Sequence, residues 1–289
     1  KKTLTDGATV PRLALWVTDG RFDSKFLKAA IIHDAFCQGF NETRCPEQFH
    51  SKPWEAVHRM FYDACVAGGT PPTRAQIMFA AVWLGGPRWN VELEGDLENV
   101  SDEVLRAGFD ACKEFIEEKS GDEEADGLSL EEIETWMDKR EPTIVEVSNL
   151  ETEGIAALNA GDVAKAEEKF QKSDAVLTKA LDATPEDTMF LSLKGYHHKN
   201  LAAEYSKLDM REKRDKELTK ADNAFSKVIA RKPKNASALN GMGSVEILRN
   251  NLEQGEKFKR DALKVAPALP SAKRDLQRIE TMRNRGGPR

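Results

Sequence analysis

Apolar residues recur at helical spacing along most of the chain, and the interruptions between them place the elements. Phe26, Leu27, Ala30 and Ile31, followed by the run from Asp34 to Phe36, predict a helix over residues 24–37. Trp54, Val57, His58, Phe61, Tyr62 and Cys65 predict a second, with Ser51 as N-cap, Pro53 in its first turn and Gly68-Gly69 as its stop. Ile77, Met78, Ala81, Val82 and Leu84 predict a third, opened by a Thr73/Gln76 capping box and closed at Gly85-Gly86-Pro87. Before them, Asp6-Gly7 and Pro11 read as turn and short strand over residues 3–16. This gives a small helical N-terminal domain over residues 1–91.

Two further patterns follow. Ser101 is placed to cap a helix reaching Lys119, with Val104, Leu105, Phe109, Cys112, Phe115 and Ile116 as its apolar stripe, and Ser129/Glu132 make a second capping box ahead of Ile133, Trp136 and Met137. The stretch around Asp126-Gly127 resembles a calcium loop only superficially, because Ile133 stands where that loop needs a bidentate Glu. Residues 92–142 therefore read as a helical connector. From residue 143 the chain repeats itself: Gly154, Gly161, Ala166 and Phe170; then Gly195, Ala221, Phe225 and Pro233; then Gly243, Gly255, Ala262 and Pro267. Pro233 and Pro267 are 34 residues apart. These positions resemble tetratricopeptide repeats, whose 34-residue helix pairs stack into an α-solenoid. Phe170 and Phe225 are 55 apart, which asks for lengthened helices around residues 176–183 and 201–218. A capping helix over residues 271–282 and a disordered basic tail over 283–289 complete a mainly α fold.

The N-terminal motifs carry a second resemblance. Asp6-Gly-Ala-Thr-Val-Pro11, Ala29-Ala-Ile-Ile-His-Asp34 and Arg59-Met-Phe-Tyr-Asp-Ala64 with Gly68 are similar, over about residues 4–88, to the bacterial and phage domain of unknown function 1353. The family's strands ahead of the Asp-Gly turn have no counterpart here, and His58 stands where an acidic residue is expected. The resemblance implies a domain identity and no mechanism.

Charge changes the picture more than its total of −6 suggests. Residues 1–91 carry net +3, residues 92–141 carry −14 and residues 143–289 carry +5. The connector is thus an acidic segment between two basic ones, able to stay solvated or to occupy a basic repeat groove as an autoinhibitory segment. No basic stripe with interleaved aromatics argues for nucleic acid, and no apolar run is long enough to span a bilayer. All four cysteines precede residue 113 without zinc-ligand spacing, so they read as reduced buried thiols, with a Cys37–Cys45 ring the alternative for an exported protein. The chain opens at Lys1-Lys2 close to a structured motif, which suggests a removed upstream segment and leaves cytoplasm and periplasm equally open.

Two residue sets could carry function. Asp6, His33, Asp34 and His58 would form a hydrolytic acid/base or mixed nitrogen/oxygen metal centre if the fold brings them together. His33 and Asp34 are adjacent on a helix and should diverge by about 100°, which favours a structural role. No cofactor is required, although the same residues could take a divalent metal. Cys37 lies one turn beyond His33, as a Cys/His nucleophile would. In the repeats, Tyr196, His197, Asn200, Asn240 and Arg249 are placed to line a groove for a protein or peptide partner. The preferred expectation is a protein-protein interaction or assembly adaptor; the alternative is a hydrolase centred on the N-terminal Asp and His residues.

Overall fold

The computed structural model describes residues 24–37, 39–90, 97, 100–120 and 128–285. Among them the regular elements are all helical, as the periodicity predicts. The expected turn and strand at residues 3–16, Asp6 included, lie outside the described residues. Contacts divide the chain into two compact units, one of residues 1–100 with 111–142, the other of 101–110 with 143–289. The segment read as a connector is therefore shared between them.

In the first unit α1 (Ser24–Cys37), α2 (Trp54–Ala67) and α3 (Pro72–Gly85) occupy the stretches that the pattern marks. Every residue of α3 from Ala75 to Leu84 is buried and all but Gln76 are apolar, so this helix forms the middle of the unit. Its sides are closed by α2 and by α5 (Leu130–Asp138), and the later part of α4 (Asp102–Lys119) stacks Phe115 on Trp136 of α5. The Ser129/Glu132 capping box forms with both arms in place. Two other cap assignments are corrected. The N-caps of α2 and α3 are Pro53 and Pro71, neither with a side-chain bond. Ser51 bonds the Gln48 carbonyl at 2.7 Å instead, and the Gln76 amide donates to the Leu128 carbonyl. Proline fits the first turn because its missing N–H has no helical partner there.

In the second unit three helical hairpins follow one another: α6 (Glu141–Asn159) with α7 (Val163–Ala183), α8 (Thr188–Lys207) with α9 (Arg211–Arg231), and α10 (Ala236–Leu248) with α11 (Leu252–Val265). The same turn closes each. Gly161, Asp209 and Asn250 take positive φ of 80°, 53° and 65°, and the next amide returns to the carbonyl five residues back: Asp162 to Ala157 at 2.9 Å, Met210 to Tyr205 at 2.9 Å, Asn251 to Glu246 at 2.8 Å. This is a Schellman closure, in which Gly, Asp and Asn tolerate the left-handed residue. Between hairpins, Thr184, Lys232 and Ala266 each precede a proline and take nearly the same φ, −139°, −129° and −131°, because proline excludes the helical conformation before it. Asp187 and Asn235 then cap α8 and α10.

Pro185 thus belongs with Pro233 and Pro267, and it precedes Pro233 by 48 residues rather than 34. The extra fourteen residues amount to about two turns in each of α8 and α9. The stretch 201–218 is not one helix, since the turn at Leu208–Met210 breaks it. Small-on-large packing fixes the hairpins: a Cβ on Gly154 would lie 2.8 Å from the Phe170 ring, and one on Gly195 2.6 Å from the Phe225 ring. Helix α12 (Pro270–Arg285) closes the stack, and Arg283, assigned by sequence to a disordered tail, ends on Glu256 at 2.5 Å.

Candidate functional site

The first candidate centre lies between α1 and α2. His33 and Cys37, one turn apart, share a face of α1; the Cys37 thiol donates to the His33 carbonyl at 3.0 Å and lies 3.2 Å from its Nδ1. The expected divergence of His33 and Asp34 does not keep them apart, because His33 Nδ1 comes within 3.8 Å of Asp34 Oδ1. One ligand atom from each of His33, Asp34 and Cys37 lies within 4.8 Å of the others. His58 joins from α2, its ring 5.1 Å from that of His33, framed by Trp54 and by Gly86, where a Cβ would lie 2.9 Å from the imidazole. Of the four residues singled out by sequence, three converge and Asp6 is outside the described residues.

The electrostatics here favour the neutral forms of His58 and Cys37. His58 is fully buried, and burial, then the proximity of His33 and Arg88, holds its pKa well below the usual imidazole value. The Pro87 backbone opposes this weakly, without bringing either ring nitrogen of His58 into a well-formed hydrogen bond. Burial, reinforced by the Asp34 carboxylate, pushes the Cys37 thiol far up. A thiol held protonated is a poor nucleophile, so the Cys37–His33 contact is not an activated pair as it stands. Cys45, Cys65 and Cys112 are likewise buried, and none of the four cysteines forms a disulfide among the described residues.

The expected groove residues behave differently. Tyr196, His197 and Asn240 are buried within the repeat unit, which corrects their assignment to an open surface. The Tyr196 hydroxyl donates to the Ser237 carbonyl at 2.7 Å, and His197 meets Glu151 at 2.9 Å. Arg249 is partly exposed but engaged by Asp222 at 2.6 Å and Glu246 at 2.8 Å. Asn200 is partly buried. The face around Tyr196 is covered by residues 101–110, Ser101 and the first nine residues of α4: Ala107 joins the cluster of Leu191, Tyr196 and Met242, Glu103 pairs with Lys199 at 2.7 Å, and Asp110 accepts the Ser237 amide at 2.8 Å. That amide belongs to the first turn of α10, where unpaired N–H groups favour an anion.

Sequence reasoning missed Lys259. It is fully buried where the first two hairpins carry Phe170 and Phe225, with its stem 2.9 Å from where a Gly243 Cβ would stand. Its ammonium donates to Asn240 O and Oδ1, each at 2.8 Å, to Ser244 Oγ at 2.6 Å, and pairs with Asp275 at 2.6 Å. The signal was present: Lys259 lies 34 residues after Phe225. His198, beside His197 on α8, meets Glu217 at 2.6 Å and Asp174 at 3.3 Å. Burial opposes its charge, yet the carboxylates of Asp174 and Glu217 outweigh that and raise its pKa.

The comparisons with known proteins bear on the first unit. Residues 1–82 match the family described as "Protein of unknown function (DUF1353)". The uncharacterized protein y4iH of Sinorhizobium fredii is 33% identical over 96 residues, which is 33% of this chain and 36% of y4iH. The uncharacterized protein y4jT of the same organism is 37% identical over 90 residues, 31% of this chain and 24% of y4jT. The match thus spans little more than a third of one relative and about a quarter of the other. No solved structure matches the chain. Among the described residues no helix is long and apolar enough to cross a membrane.

Proposed function

We propose that the chain is a protein-protein assembly adaptor, in which a repeat unit of tetratricopeptide type holds an acidic helix against α8 and α10. One observation carries this reading: residues 101–110 already occupy that face, through Lys199 on Glu103, the Ser237 amide on Asp110 and an apolar seat for Ala107. The chemistry would suit a partner helix bearing carboxylates seven residues apart on one face, two turns of helix. In the full-length chain carrying Glu103→Lys and Asp110→Asn, a fluorescent peptide of residues 101–119 should bind with measurable anisotropy, more weakly at high salt, while the unaltered chain leaves it free. Equal binding to both chains, or to neither, would refute the reading.

A second reading is favoured by the convergence of His33, Asp34, Cys37 and His58: a hydrolytic centre, metal-dependent or acid/base, in the first unit. Stoichiometric metal in the purified protein, lost in His33→Ala, would support its metal-dependent form, and hydrolysis lost in His33→Ala without metal its acid/base form. Neither result leaves the adaptor as the whole account.

A further inference from the structure

The repeat unit holds a second cluster, formed where α6, α7, α8 and α9 meet. His197 and His198 are adjacent on α8, yet their ring centroids are only 4.9 Å apart. One nitrogen of each ring and a carboxylate oxygen of Asp174, from α7, lie within 4.8 Å of one another. Each imidazole is oriented by a carboxylate behind it: His197 Nδ1 meets Glu151 Oε1 at 2.9 Å, and His198 Nδ1 meets Glu217 Oε2 at 2.6 Å. A carboxylate on Nδ1 holds a proton there and leaves Nε2 as the nitrogen a metal would take, at His198 in place of the proton shared with Asp174, the arrangement that supports metal-bound histidine. His198 Nε2 is 3.3 Å from Asp174 Oδ1. His197 Nε2 has no hydrogen-bond partner although the residue is only 2% exposed. A buried imidazole nitrogen left unpaired costs free energy that a ligand would recover.

We propose that His197, His198 and Asp174 form a binding site for a divalent transition-metal ion of the zinc class, with Glu151 and Glu217 as its outer supports. Two imidazoles and a carboxylate are the donor set such ions take, with a water completing the tetrahedron. Asp174 is 36% exposed and gives the ion its route from solvent. Lys194, 3.2 Å from Asp174 Oδ1, competes for that carboxylate, but it also bonds Thr178 at 2.7 Å and is itself partly exposed, so it can yield the oxygen and keep the hydroxyl. Bringing the donors to zinc-like separations requires side-chain movements of about 1 Å. The role differs from the helix-docking face, because none of these residues contacts residues 101–110 through a bond described above.

The test is cobalt(II) titration of the full-length protein, read by visible absorption and by thermal midpoint. A Cys37→Ala background removes the thiolate of the α1 cluster, whose charge-transfer band would otherwise reveal cobalt bound there. The expected result is one equivalent bound without a thiolate band and with a raised midpoint. Asp174→Asn, at a partly exposed position, should abolish it with the apo far-UV spectrum unchanged. Glu151→Gln and Glu217→Gln should each weaken binding by about 10–100-fold. Absence of cobalt binding in the Cys37→Ala protein, or binding untouched by Asp174→Asn and by both Glu→Gln changes, would overturn the proposal.

Discussion

The buried Lys259–Asp275 pair offers an asymmetry that can be worked out before it is measured. Removing one partner of a buried ion pair costs about 3–5 kcal/mol when the charge left behind cannot return to water. The two partners differ in that respect: the Lys259 side chain is 0% exposed and that of Asp275 27%. Asp275→Asn therefore strands an ammonium in the core, and its cost should fall near the lower end, about 3 kcal/mol, because three oxygen acceptors remain around Nζ. Lys259→Met keeps the stem against Gly243 and removes the buried charge. Asp275 then rehydrates, and the loss reduces to one buried acceptor, Asn240 Oδ1, about 1 kcal/mol. The double variant should sit near Lys259→Met, since no charge stays buried. Urea unfolding followed by circular dichroism at constant m gives the ranking. A pH series supplies a second check. Burial holds the Lys259 pKa below its ordinary 10.5 against the pull of Asp275, so between the two values the unfolded chain binds the extra proton and stability rises with pH. Asp275→Asn should steepen that rise. Finding Asp275→Asn equal to or milder than Lys259→Met would refute the reasoning.

Three other outcomes are expected. Gly195→Ala places a Cβ 2.6–2.7 Å from three Phe225 ring atoms that Gly241 holds from the other side, so overpacking of about 1–3 kcal/mol should exceed the roughly 1 kcal/mol gained in helix propensity, read as a lowered thermal midpoint. Ser129→Ala removes the hydroxyl arm of a formed capping box, leaving the residue-129 amide on the Glu132 carboxylate, and should cost about 1 kcal/mol, whereas Thr73→Ala, which has no such box to lose, should stay within about 0.5 kcal/mol in urea unfolding. Burial lifts the Cys65 thiol from 9.0 to about 12, so between those values the unfolded chain has lost a proton that the folded chain keeps, and stability falls with rising pH by up to about 1.4 kcal/mol per unit. Cys65→Ala should remove that share of the slope; an unchanged slope would contradict it.

What the sequence made legible is what is encoded by spacing within one element. The three N-terminal helices, the hairpin glycines and the aromatic residues they receive were all readable, because a glycine facing a ring is a local arrangement repeated at a fixed interval. Polar partners were less legible. The Thr73/Gln76 spacing fits a capping box, yet the Gln76 amide is drawn to the Leu128 carbonyl, 52 residues away, and no local rule reports that competition. The same limit applies to His197, which reads as a groove residue until Glu151 is seen behind it, and to the adjacent His198 with Glu217.

Lys259 shows why a departure from a repeat can say more than the repeat itself. At the position of Phe170 and Phe225 an aromatic ring would fill the space over Gly243 without any desolvation cost. A lysine there must be neutralised and given acceptors, and Asn240, Ser244 and Asp275, from α10 and α12, supply them. The third hairpin is thereby tied to the closing helix by charge, where the first two are tied within themselves by packing. Lys259→Phe with Asp275→Asn should accordingly restore a ring over Gly243 and raise stability by about 1–3 kcal/mol over Lys259→Met, as replacement of a buried ion pair by apolar groups often does. If the double variant is no more stable than Lys259→Met, the space over Gly243 is shaped for the lysine stem and not for the ring of the preceding repeats.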